Sequence, residues 1–103
     1  MTNRNKFYFQ QRSRIDIIAC ILENSNGGAR KTKLIYRCNL SFSQFNLYKD
    51  YLINADLLKV SKNDEGAEIF ETTRRGMEFL RDYKKIRDTL SKIRPQIGQL
   101  FPP

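Results

Sequence analysis

The stretch that most limits the fold is Leu34–Leu58, LIYRCNLSFSQFNLYKDYLINADLL. Two helical patterns are separated there by a short polar turn, and the second runs into a pair of leucines. Cys38-Asn39-Leu40 makes the turn, with Leu40 as an apolar plug. Ser41 is a good N-cap, and Gln44 three residues later completes a capping box. Phe45, Tyr48 and Leu52 recur at spacings of three and four, which sets a buried face for a helix reaching Asn54 or Ala55. Asp56 stands where a glycine often ends such a helix, and aspartate tolerates left-handed geometry better than most residues. The pattern is a helix-turn-helix whose second helix is offered to DNA.

The outer side of that second helix carries the candidate reading groups. Ser43, Gln44, Asn46 and Leu47 fall away from the buried face, with Asp50 beyond them. Asparagine and glutamine can pair bidentately with adenine, and serine can give or take a bond. Lys49, Ser41 and, further along the chain, Lys62 are candidates for phosphate contact. The helix before the turn spans Lys31–Arg37, with Leu34 and Ile35 inward and Arg30, Lys31, Lys33 and Arg37 on the outside. These four bases either grip phosphates or simply form a solvated face.

Charge supports a polyanionic partner. The 103 residues have a net charge of +8. A balance this basic favours nucleic acid first and an anionic membrane surface second, against a basic surface that serves only solubility. The charge is uneven: residues 1–14 carry net +4, 30–37 net +4 and 72–103 net +5, whereas 38–71 carry net −3. The reading element is therefore flanked by the basic segments, which suits flanks that hold phosphates and a less charged helix that meets base edges.

Upstream, Ser13 caps a helix with Asp16 at its third position, and Ile15, Ile18, Ala19 and Leu22 form one face, with Ile17 and Ile21 beside it. Asn24-Ser25-Asn26-Gly27-Gly28 ends it. Residues 1–11 form a basic arm in which Phe7, Tyr8 and Phe9 can pack on the domain and Arg4 and Lys6 can reach DNA. Downstream, Leu57–Val60 and Glu68–Glu71 read as two strands around a turn-rich tip, a wing with Lys62 set against Asp64, Glu65 and Glu68. Packing of the wing on the core and entry into a groove both stay open.

Thr72 or Thr73 caps a last helix. Phe79, Tyr83, Ile86, Leu90, Ile93, Ile97 and Leu100 follow a 4-3-4-3 heptad spacing, and Met77 and Leu80 add a stripe for docking on the core. Such a seam asks for a partner, most simply a second copy, unless the helix folds back on its own domain. Pro95 predicts that the helix ends or kinks near Ile93 or Arg94.

Other classes find little support. There is no histidine, no phosphate loop and no nucleophile motif, so the chain reads as a non-enzyme with no metal or cofactor. No apolar run approaches 18 residues, and no signal peptide is evident, which predicts a soluble protein of the cytoplasm. Of the two cysteines, Cys20 is expected to be buried and Cys38 partly exposed, and a disulfide between them is not expected in a reducing compartment.

Three stretches, Ser13–Leu22, Lys31–Phe42 and Thr72–Gly76, together resemble the archaeal winged-helix proteins of the Sulfolobus ten-kilodalton (10a) chromatin type. The family form TxIMYxxNLSY is matched by Thr32, Ile35, Tyr36, Asn39, Leu40, Ser41 and Phe42. The resemblance spans about residues 12–94. It implies an α+β, mainly α fold: a winged helix-turn-helix with a long C-terminal helix forming an antiparallel coiled-coil dimer. It also implies double-stranded DNA as partner, nucleoid association, and a role as chromatin factor or transcriptional regulator. The expected divisions are an arm at 1–11, the winged domain at 12–73, a dimerisation helix at 74–94 using Phe79, Tyr83, Ile86, Leu90 and Ile93, and a tail at 95–103. The competing reading is a protein-interaction module built on the same scaffold and heptad helix.

Overall fold

The computed structural model describes residues 12–100, with side chains as far as residue 91. The order is α1 (Arg14–Asn24), α2 (Lys31–Cys38), α3 (Phe42–Asn54), β1 (Leu58–Lys62), β2 (Glu68–Thr72) and α4 (Arg74–Leu100). The architecture is mainly helical, with a two-stranded antiparallel sheet.

Local chemistry explains the helix starts. Ser13 Oγ accepts from the Asp16 amide at 3.1 Å. Ser41 and Gln44 make the full capping box, with Ser41 Oγ accepting the Gln44 amide at 3.1 Å and Gln44 Oε1 accepting the Ser41 amide at 3.0 Å. A cap of this kind is worth about 1 kcal/mol. Between α2 and α3, Asn39 adopts the left-handed conformation at φ 54°. That turns the chain so that Leu40 is buried and its amide bonds back to the Ile35 carbonyl at 3.0 Å. Asp56 is left-handed at φ 62°, ending α3 as the sequence predicts.

The core is built from Ile18, Ala19, Ile21 and Leu22 of α1, Leu34 and Cys38 of α2, Phe45 and Leu52 of α3, Leu58 and Phe70 of the sheet, and Leu80 of α4. Phe45 and Phe70 meet edge to face with ring centroids 5.4 Å apart, a geometry aromatic quadrupoles favour. Two expectations shift here. Ile21 is fully buried while Ile15 is 55% exposed, so the inward face of α1 lies one turn further along than its first isoleucine. The cysteines exchange roles: Cys38 is buried and Cys20 is half-buried. Cys38 is the last residue of α2 and faces α1 with Leu34, one turn behind it, so its position on the inner stripe outweighs its nearness to the turn.

The hairpin pairs Leu58 with Thr72, Val60 with Phe70 and Lys62 with Glu68. A third partner joins it that sequence periodicity does not reveal. Ala29 exchanges two backbone bonds of 2.8 Å with Phe70. Gly28, at φ +100°, brings the chain to that edge, where a Cβ would come 3.2 Å from Ile69 Cγ2. At the tip, Asn63 Oδ1 accepts the amides of Glu65 and Ala67, each at 2.9 Å.

Thr73, not Thr72, caps α4: its Oγ1 accepts the Gly76 amide at 3.0 Å. The Thr72 hydroxyl instead donates to the Leu22 carbonyl, tying β2 to α1. Leu80 enters the core as predicted, but Met77 stays 40% exposed. Helix α4 does not stop at Arg94. It continues through Pro95 to Leu100. Proline removes one amide and crowds the carbonyl four residues back, a local cost that the turns on either side outlast. Residues 1–11, and the side chains of Ile93, Ile97 and Leu100, lie outside the described residues.

Candidate nucleic-acid interface

The outward face of α3 is the best-presented surface for a groove. Ser43, Gln44, Asn46, Leu47 and Asp50 are all exposed on it, and the buried Phe45 and Leu52 fix its rotation. Leu47 is 73% exposed at the middle of this face. Among the described residues this aliphatic side chain takes no part in the core.

The structure separates the predicted reading residues by availability. Gln44 Oε1 is committed to the Ser41 amide. Bidentate pairing with adenine needs that oxygen as acceptor, so Gln44 must choose between capping and reading. Ser43, Asn46 and Leu47 have no such tie among the described side chains. Ser41 spends its hydroxyl on the Gln44 amide and stands exposed at the helix start.

The predicted phosphate residues divide likewise. Lys33 and Arg37 are exposed on the outer face of α2, beside Thr32 and Tyr36. Lys31 is half-buried with its ammonium 5.5 Å from the centroid of the Phe42 ring, a cation–π contact that links the starts of α2 and α3. Arg30 pairs with Glu65 of the wing tip at 3.1 Å, both side chains largely exposed. That pair is worth little by itself, but it turns the acidic tip onto a predicted phosphate ligand. Lys49 is set back, its side chain 27% exposed and 3.6 Å from Asp50. Lys62 stands exposed at the end of β1.

Arg12, the first residue of the expected winged domain, does a structural job. Its guanidinium donates to the Cys38 carbonyl at 2.5 Å, satisfying the end of α2. Sequence periodicity passed over the exposed aromatics Tyr36, Phe42 and Tyr51. The hint was present in the spacing, since Tyr36 lies two positions from Leu34 and therefore on the opposite side of α2.

On the other side of the domain α4 carries the heptad residues. Phe79 and Tyr83 pack against the core of their own chain, with rings stacked 6.4 Å apart. The Tyr83 hydroxyl donates to Asp16 of α1. That bond, followed by the Ser13 cap, holds the Asp16 carboxyl below the usual carboxylate range. Loss of water, then Asp16, pushes the Tyr83 phenol above its usual range. Ile86 and Leu90, further along, are 60% and 54% exposed.

Two helices joined by a left-handed turn, the second with a full capping box, followed by a hairpin and a long helix, define the comparison with known proteins. A family model described as winged helix-turn-helix matches residues 11–91. The chain belongs to the winged helix-turn-helix family. Among solved structures it is similar to Sso10a-2, a DNA-binding protein from Sulfolobus solfataricus, with a TM-score of 0.69 and 22% identity over 89% of this chain and 99% of that one. It is also similar to the adhesin competence repressor AdcR from Streptococcus pyogenes, with a TM-score of 0.64 and 19% identity over 97% and 75%. A third likeness is to a mutant of Lactococcus lactis ZitR in complex with DNA, with a TM-score of 0.64 and 15% identity over 89% and 64%. At these identities the likeness establishes the shared fold. No curated protein matches the chain significantly.

Proposed function

We propose that this chain binds double-stranded DNA as a homodimer, laying α3 in the major groove while α2 holds the backbone. It belongs in this reading to the ten-kilodalton archaeal type, acting in the nucleoid of the cytoplasm as a chromatin factor or transcriptional regulator. The observation that carries it is the exposed, uncommitted row Ser43, Asn46 and Leu47 on α3, beside Lys33 and Arg37 on α2. Neutral polar groups meet base edges and the bases meet phosphates, the division of labour expected at a duplex. Gln44, Ser41, Lys31, Arg30 and Lys49, each already engaged or set back as described, are secondary contacts, and the exposed Lys62 is another on the wing. The functional divisions are the arm 1–11, the winged domain 12–73 and the dimerisation helix from 74, which runs on past 94.

The dimer joins through α4. Its support is the pair Ile86 and Leu90, exposed among the described residues. The same pair favours a second reading, a protein-interaction module that binds another chain and no nucleic acid. Among the described residues no helix is long and apolar enough to cross a membrane.

Solution mass with and without duplex DNA tests dimer and binding together. Asn46→Ala is expected to lower affinity for a selected site more than for random duplex. Arg37→Ala is expected to weaken both alike and to reduce the salt slope by about one unit. Equal losses from the two variants would show that α3 does not read bases. Absence of duplex binding at moderate salt would leave the interaction module standing.

A further inference from the structure

Two exposed aromatic rings on the basic side of the domain have no part in the function proposed above. Tyr36 of α2 is 82% exposed, and Phe42, the first residue of α3, is 62% exposed. Neither is among the residues that form the core or pack against it. Both stand among cations: residues 30–37 carry net +4 and no acidic group. On α2, Lys33 lies three positions before Tyr36 and four before Arg37, which puts all three on one outward face. Each of the three is exposed. Lys31 opens the same helix and holds its ammonium 5.5 Å from the centroid of the Phe42 ring. Each ring therefore has a cation beside it, Tyr36 by helical spacing and Phe42 by contact.

We propose that this face binds single-stranded DNA: unpaired bases stack on Tyr36 and Phe42 while Lys33, Arg37 and Lys31 hold the adjoining phosphates. Exposed rings on a basic surface suit unpaired bases, because every base has a face to stack and stacking needs no sequence match. In a paired duplex those faces are covered by the neighbouring pairs, so a duplex laid against α2 meets the rings with its backbone. Phe42 has no polar atom for a phosphate. Tyr36 has one, its hydroxyl, and a phenylalanine in its place separates stacking from phosphate contact.

Exposed aromatics also serve protein interfaces. An apolar partner surface, however, would have to approach through a cluster of like charges that a polyanion neutralises. The choice of DNA rather than RNA rests on the function proposed above, since the strand is then one released from the duplex partner. The stacking does not rest on it. Lys33 and Arg37 serve both forms, so strand and duplex compete for one protomer.

The test uses the full chain at one moderate salt concentration. Its probes are oligothymidine of about twelve nucleotides, an abasic deoxyribose-phosphate oligomer of equal length, oligouridine and random duplex. The abasic oligomer keeps the charge and lacks the bases, so it is expected to bind about tenfold more weakly than oligothymidine. The Tyr36 ring protons should move upfield with oligothymidine and stay in place with the abasic oligomer. Tyr36→Ala and Phe42→Ala should each weaken strand binding by about tenfold, and Tyr36→Ala should leave duplex affinity unchanged. Tyr36→Phe should keep strand affinity. Equal binding of the abasic and base-bearing oligomers would overturn the proposal by reducing the face to charge alone. So would an equal loss from Tyr36→Phe and Tyr36→Ala, which would make the hydroxyl a phosphate ligand, or tighter binding of oligouridine than of oligothymidine. Duplex binding without strand binding would sink this site and leave the proposed function standing. Strand binding without duplex binding would support the site and count against the role given to α3.

Discussion

From Gly76 to Tyr83, α4 is fitted to its own domain; from Ile86 to Leu90 its apolar side chains face solvent. Both segments belong to one heptad spacing, yet the first is consumed by intrachain packing. Leu80 is almost fully buried, Phe79 and Tyr83 lie against the core, and Gly76 touches the backbone ahead of β1. The second has no cover within the described chain. A periodic apolar seam therefore records where a helix is amphipathic, while the length of the domain beneath it decides how much of the seam remains for a partner.

The strongest way to break this contrast acts at Gly76. A Cβ there would lie 2.4 Å from the Leu57 carbonyl oxygen and 2.6 Å from Thr72 Cγ2. The first of these is backbone and cannot rotate away. Gly76→Val is expected to lift the start of α4 and with it Leu80, at a cost of about 3 kcal/mol or more. The urea midpoint measures this. A change within about 0.5 kcal/mol, the range of ordinary surface substitutions, would mean that α4 is not seated as described.

The second half calls for a different readout. Leu90→Asp should leave the urea midpoint of the domain nearly unchanged, because Leu90 makes no core contact. In the proposed dimer it should halve the solution mass, since a carboxylate in an apolar seam lacks a compensating partner. A dimer that survives the substitution places the seam elsewhere. A midpoint that falls as far as that of Gly76→Val would erase the distinction between the two halves.

Much of this is legible in the sequence. The caps at Ser13 and Ser41, the turn at Asn39-Leu40, the left-handed Asp56 and the hairpin all rest on local chemistry between residues a few positions apart. Long-range contacts were not legible. Nothing near Ala29 announces a bridge to Phe70, and nothing near Gly76 announces Leu57. The exchange of Cys20 and Cys38 between buried and half-exposed positions follows from which side of each helix meets its neighbour, a tertiary fact. Of the two outcomes that Pro95 predicts, an end or a kink, the end is excluded, because the turns on either side carry α4 through to Leu100. At the interface the composition of the α3 face could be read, but not that the cap would occupy Gln44 or that Glu65 would turn to Arg30.

The smallest expected effect sharpens how the fitted half is held. Asp16 on α1 and Tyr83 on α4 share a hydrogen bond across the helix pair. The lowered Asp16 pKa means that the folded state favours the carboxylate, so this contribution is present above the ordinary value near 3.9 and is lost as pH falls below it. The raised Tyr83 pKa means that the folded state favours the phenol, so its contribution is present below the ordinary value near 10 and is lost as pH rises beyond it. Tyr83→Phe keeps the ring stacked on Phe79 and removes only the hydroxyl. At neutral pH it should cost about 1 kcal/mol or less, discounted because both groups retain access to water. Unfolding free energies at about pH 3, 7 and 11 should show the difference between the two proteins greatest at neutrality and shrinking toward both extremes. A difference that does not vary with pH would assign the hydroxyl a packing role and leave Leu80 and Gly76 as the contacts that fasten α4.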